Sequence, residues 1–174
     1  MRSASCSTTP WQLEGVTKTL LEGGYAREKL IATHNDTVVV NGQEGQLNNR
    51  HKFVQDKHGL KTAETYVKGI ESVHYQPKRP FLVLDKVYPH GVRIPKFFYG
   101  KNVLHLPTMK THVFTHVTGA MKNAFGGLLD QRRHWTHSVI DETLVDLLQI
   151  QQDIHSGLFA VMDGTLAGEG PGPR

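Results

Sequence analysis

A chain of 174 residues with one cysteine, Cys6, cannot close an internal disulfide or build a zinc ribbon. Nor can it hold an iron–sulfur cluster of its own, which needs about four thiolates. Its apolar runs fall far short of the roughly 20 residues that a membrane span requires. The opening MRSASCSTTP lacks the apolar stretch of a secretory signal. No membrane partner is therefore expected, and the cytoplasm is the default location. Acids are scarce in one place: between residues 101 and 137, Asp130 stands alone against Lys101, Lys110, Lys122, Arg132 and Arg133. Aromatics make up 8% of the chain and hardly interleave with these cations, His134-Trp135 apart, so nucleic acid is a disfavoured partner.

The chain holds 20 Lys and Arg against 16 Asp and Glu. Outside 101–137 the two signs balance, so the whole net charge of +4 lies in that segment. Five of the 11 histidines lie there too: His105, His112, His116, His134 and His137. Cations, imidazoles and glycines in such concentration point to a site for an anion, a metal, or both.

The length fits one domain, residues 1–174, with a real core. Thr9-Pro10-Trp11-Gln12 reads as a helix start, with Thr9 as cap, Pro10 in the first position and Gln12 completing a capping box. Leu13, Val16, Leu20 and Leu21 form its apolar face, and Gly23-Gly24 its stop. Residues 30–32 and 38–40 read as strands, 41–49 as a polar loop, and 61–69 as a weak helix. Residues 81–84 read as a short strand ending at Asp85, and 102–106 as another ending at Pro107. A helix over 119–125 is closed by Gly126-Gly127. The strongest helix spans 139–155, with Ser138 and Asp141 as its capping box and Leu144, Leu147, Leu148 and Ile154 as its stripe. Residues 158–162 form a strand ending at Asp163-Gly164. Apolar runs alternating with helices give an α/β fold, layered, with a largely parallel sheet flanked by helices. Ligands of such a sheet bind beyond the carboxyl ends of its strands. Asp85, residues 108–112 and Asp163 are therefore expected to converge near the 119 helix.

Within the basic segment, Thr118-Gly119-Ala120-Met121-Lys122-Asn123 offers backbone N–H groups at a helix start and a lysine one turn in, which suits phosphate or carboxylate. Spacing alone allows equally that Gly119 and Ala120 let the helix pack closely. Lys110-Thr111-His112 follows a strand; the lysine can hold an anion and the histidine titrates near neutrality. Arg132-Arg133 can clamp an anion or form a basic surface turn. His112-x-x-x-His116 and His134-x-x-His137 have the spacing of paired metal ligands, and Asp163 could join them. Against this, the first pair precedes the helix and two arginines beside the second pair repel a cation.

LPTMKTHVFTHVTGAMKNAFGGL, then RRHWTH, then VMDGTLAGEGPGPR resemble the bacterial and archaeal domain-of-unknown-function family number 362. Its members show Lys-x-His, Thr-Gly-Ala-x-Lys-Asn-x-Phe-Gly, Arg-x-x-His and a late Asp-Gly with a Gly-Pro-rich stretch, in this order. The match is most specific over 102–174, and STTPWQLEGVTKTLLEGG resembles the family's first helix. The family carries no settled activity. Some relatives are fused to [4Fe–4S] ferredoxin modules, which implies redox work with an iron–sulfur partner. Relatives also continue past the GEGPGPR stretch, which implies a partial domain and an exposed apolar patch around 158–162.

The resemblance favours the anion site. Thr118, Gly119, Ala120, Lys122, Asn123 and Arg133 would form the ligand cradle. Lys110, His112 and His134 would be the acid–base candidates, and Asp163 the candidate carboxylate. The implied function is an enzyme domain for an anionic small molecule. The alternative is a non-catalytic domain that binds an acidic ligand or partner protein.

Overall fold

The computed structural model describes residues 7–35, 41–65 and 70–170. Helix α1, Pro10–Glu22, starts as expected: Pro10 takes the first turn, and Gln12 N donates to Thr9 Oγ1 at 3.2 Å. The reciprocal half of the capping box is not made. Gln12 Nε2 donates instead to Val161 O at 2.6 Å, and Thr9 Oγ1 donates to Asp163 Oδ2 at 2.7 Å. Thr8 Oγ1 reaches Leu106 O at 2.5 Å. The start of α1 is thus tied to residues about a hundred or more positions away, a use of Gln12 that local spacing cannot reveal.

β1, Ile31–Asn35, pairs in parallel with β2, Lys61–Thr65. Between them lie α2, Gly42–Asn48, and α3, His51–His58. Two expectations are corrected here. Residues 41–49 hold a helix because Asn41 caps it, accepting from Glu44 N at 2.8 Å. Residues 61–65 form a strand because α3 has already ended at Gly59, in the left-handed region at φ 61°, and β1 supplies a ladder for Thr62 and Thr65. The strand expected at 38–40 lies outside the described residues.

β3, Ser72–His74, pairs antiparallel with β4, Arg93–Pro95. The strand expected at 81–84 does not form. The buried carboxylate of Asp146 accepts from Leu82 N, Val83 N and Leu84 N at 2.8, 3.0 and 3.0 Å, which leaves no donors for a ladder. The chain then turns into α4, Leu84–Val87. Val83 and Leu84 are buried, Phe81 is partly buried and Leu82 is exposed.

β5, Asn102–His105, pairs in parallel with β8, Gly157–Ala160. β6, Thr108–His112, pairs antiparallel with β7, His116–Thr118, and in parallel with β9, Asp163–Gly168. The fold is a mixed α/β arrangement with parallel pairs. Among the described residues the strands form three two-stranded ladders and one of three strands. Phe159 on β8, Val161 and Met162 in the turn that follows it, and Leu166 on β9 are exposed.

α5, Ala120–Leu128, runs through Gly126-Gly127 instead of stopping there. A Cβ at Gly126 would come within 2.5 Å of Asn35 Nδ2, so this glycine serves a close approach to β1 rather than termination. A 3-10 helix, Gln131–Val139, leads directly into α6, Ile140–Ile154. That entry replaces the expected Ser138–Asp141 capping box, and no side chain caps α6. α6 buries Ile140, Leu147, Ile150 and Ile154 against Phe125, Leu128 and Leu129.

Candidate functional site

β6, α5 and the 3-10 helix meet around the cations of the 101–137 segment. The register of β6 and β7 sets Lys110 opposite Thr118, whose hydroxyl donates to Lys110 O at 3.0 Å. The chain leaves this ladder at Gly119 and enters α5, whose amino end has no side-chain cap. Its first-turn amides and the helix dipole favour a negative charge at that end. One turn in, Lys122 places Nζ 4.8 Å from the centroid of the Phe125 ring.

The 3-10 helix adds the third wall. Residues three apart eclipse in a 3-10 helix, and the His134 and His137 rings accordingly lie 5.5 Å apart. The His137 ring packs on Phe114 at 4.6 Å and on Phe125 at 5.4 Å, and stacks with His112 at 6.3 Å and 18°. Arg133 is buried, with Nη1 donating to Asp130 O at 3.4 Å. Arg132 behaves differently: its guanidinium is paired with Asp130, Nη2 to Oδ2 at 2.7 Å, and lies over the Tyr88 ring.

Electrostatics mark the cluster as one unit. Burial pushes His112 down to about 4, helped by the charges of Lys122, His137 and Lys110. Burial also holds Lys122 down at about 8, with Lys110 and Arg133 adding repulsion. His137 is lowered by burial, against the opposing pull of its hydrogen bond to His134, and Lys122, His134 and Arg133 lower it further. The side-chain charges acting on these three groups are all positive.

The two stacked imidazoles have complementary faces. Phe114 N donates to His112 Nδ1 at 3.1 Å, so neutral His112 carries its proton on Nε2. His137 Nδ1 donates to His134 O at 3.0 Å, which leaves its Nε2 as an acceptor. One ring can donate a hydrogen bond to a bound molecule and the other can take a proton from it.

Lys110, His112, Lys122, Arg133 and His134 are thus brought together, beside Gly119 and Ala120. His137, weighed in the sequence only as half of a metal pair, belongs at the centre. Its signal was the spacing to His134, which a 3-10 turn converts into stacking. Asn123 turns its amide towards β5, donating to His105 Nδ1 at 3.1 Å, and His105 Nε2 donates to Gln151 Oε1 at 2.6 Å. The Thr118 hydroxyl is engaged in the ladder.

Asp163 is not brought to the cluster. It opens β9 opposite Thr108, four residues before His112, a separation of roughly 13 Å along the strand. Its carboxylate accepts from Thr9 Oγ1 and from Thr165 N at 2.9 Å. Asp85 is exposed on α4 and accepts from Lys86 N, so the expected three-way convergence does not occur.

Among the described residues no group of three or more His, Cys, Asp or Glu is placed to hold a metal ion. His112 and His116 face each other across a hairpin rather than along a helix, with His116 at φ 55°. An open groove of about 380 Å³ lies elsewhere, between the start of α1 and the turn into β9, lined by Trp11, Gln12, Met162 and Leu166 among others. Its acid, Asp163, is already hydrogen-bonded. No helix among the described residues is long and apolar enough to cross a membrane.

No curated protein and no solved structure matches the chain. The family pattern described as "Domain of unknown function (DUF362)" matches residues 2–174. The Lys-x-His of β6, the Thr-Gly-Ala-x-Lys-Asn start of α5 and the Arg-Arg-His-Trp-Thr-His run of the 3-10 helix all lie in that match, and the chain belongs to this family.

Proposed function

We propose that the Lys110, His112, Lys122, Arg133, His134 and His137 cluster binds a small anionic molecule and moves protons on it, which would make this an enzyme domain. The observation that carries this reading is the crowding of cations in a half-buried place: burial depresses Lys122, His112 and His137, and the charges of Lys110, Lys122, Arg133, His134 and His137 add like-charge repulsion. Such crowding is unfavourable by itself and is relieved when an anion binds. Lys110, Lys122 and Arg133 would supply charge, and the Ala120 end of α5 would supply backbone donors. His112 Nε2–H would donate a hydrogen bond, and His137 Nε2 would accept a proton. A redox role beside a separate iron–sulfur protein is a narrower proposal that rests on the sequence resemblance alone.

An NMR titration with sulfate tests the binding step. Shifts are expected at Ala120, Lys122, His112 and His137. Removing one charge-assisted partner costs about 1.5–3 kcal/mol, so Lys122→Ala should weaken sulfate roughly tenfold or more. Lys57→Ala is the control, because Lys57 on α3 is paired with Glu14. Equal shifts over the whole basic surface, or equal effects of the two variants, would contradict a specific site.

A further inference from the structure

Lys122 differs in its surroundings from the lysines that serve as surface counter-ions. Lys18, Lys52, Lys57, Lys78 and Lys96 each pair with a carboxylate. Lys122 makes no such pair among the described residues. It is half-buried, its stem lies along α5, and its Nζ sits over the Phe125 ring. The same ring receives His137 on its other contacts, at 5.4 Å between centroids. An amine and an imidazole whose Nε2 is an acceptor therefore share one apolar floor, with Lys110 and Arg133 close enough to act on the amine.

We propose that Lys122 is a covalent, imine-forming lysine for small carbonyl compounds that carry an anionic group, with 2-oxo acids as the substrate class. The inference rests on the anion-site reading above and adds a bond to it. The carboxylate would be held by Lys110, Arg133 and the start of α5, which brings the adjacent carbonyl carbon to Lys122 Nζ. The neutral amine adds to that carbon, forming a C–N bond, and the carbonyl oxygen becomes a hydroxyl. His137 Nε2 takes the proton that the ammonium must lose and returns it to the departing hydroxyl, which leaves as water. Counted overall, an ammonium and a carbonyl become a protonated imine and one water, with no oxidant or reductant required. Nearby positive charge and a half-buried stem are the conditions that make a lysine nucleophilic near neutral pH. The depression of Lys122 to about 8 agrees with this geometry.

The test uses the wild-type chain and glyoxylate, the smallest 2-oxo acid, at about pH 8, where a lysine so depressed is about half neutral. Borohydride reduces any imine to a stable secondary amine, and peptide mass mapping locates it. Lys122 is expected to be labelled at least about tenfold faster than the surface lysines, as its depressed pKa implies. Sulfate should suppress that label. Propanal, which has the carbonyl without the anion, should show a smaller preference for Lys122 than glyoxylate does. Lys122→Arg should remove the label from its peptide. Labelling spread evenly over the lysines would overturn the imine, and a Lys122 label that sulfate leaves untouched would overturn the anion-held carbonyl as its substrate. The sulfate titration of the unmodified protein would still report on anion binding, so the two readings fail separately.

Discussion

Asp163 accepts hydrogen bonds from Thr9 Oγ1 and Thr165 N, and these bonds hold its carboxyl below the usual range. A carboxylate used in this way fastens α1 to β9. Asp163→Ala should lower stability by about 1–3 kcal/mol, the cost of leaving hydrogen-bonding groups without a partner. It should leave sulfate affinity unchanged. Urea unfolding and the NMR titration check the two halves, and a drop in affinity with stability intact would return Asp163 to the site. The sequence made Asp163 a strand end. β8 in fact stops at Ala160, and Asp163 begins β9, so the residue sits at the opposite end of its ladder from His112. Lys110, His112, Lys122, Arg133 and His134 were legible because their residue types and their concentration in one segment can be read whatever the fold. His137 was in view, but its role depends on ring stacking against Phe114 and Phe125, which composition does not encode.

Periodicity made α1 and α6 readable, since an apolar stripe of period 3.6 is a property of the helix alone. On α6, Leu147 is fully buried while Leu148 is only half-buried. Leu147→Ala should therefore cost about 2–5 kcal/mol and Leu148→Ala clearly less. Thermal or urea unfolding of the two variants measures this, and equal losses would mean that the stripe has been assigned to the wrong face. Elements whose state depends on a distant partner were not legible. β2 needs β1. The 81–84 segment is held out of a ladder by Asp146, more than sixty residues away. The sequence assigns no element to residues 131–138, yet the 3-10 helix Gln131–Val139 aligns His134 with His137 and seats Arg133 in the interior.

Over the whole chain, charge is arranged unevenly for a reason that the fold makes plain. Elsewhere several lysines meet carboxylates, as Lys57 and Lys18 meet Glu14 and Lys96 meets Glu71. In the 101–137 segment, Asp130 is committed to Arg132, and Lys110, His112, Lys122, Arg133, His134 and His137 lie close enough to act on one another. A bound anion favours the protonated form of every base beside it. It therefore raises Lys122 from about 8 and His112 from about 4, and raises His137 with them. Protons must be taken up on binding, and affinity must rise as pH falls through the region where Lys122 titrates and on towards the histidines. Sulfate is the suitable probe because it has no titration of its own in this range. The most direct measurement is calorimetry of sulfate binding at about pH 7.5 in two buffers of different ionisation heat, repeated at lower pH. A net uptake of protons with affinity that increases on acidification is the expected result; binding with no proton uptake and no pH dependence would contradict the cationic cluster as the anion site.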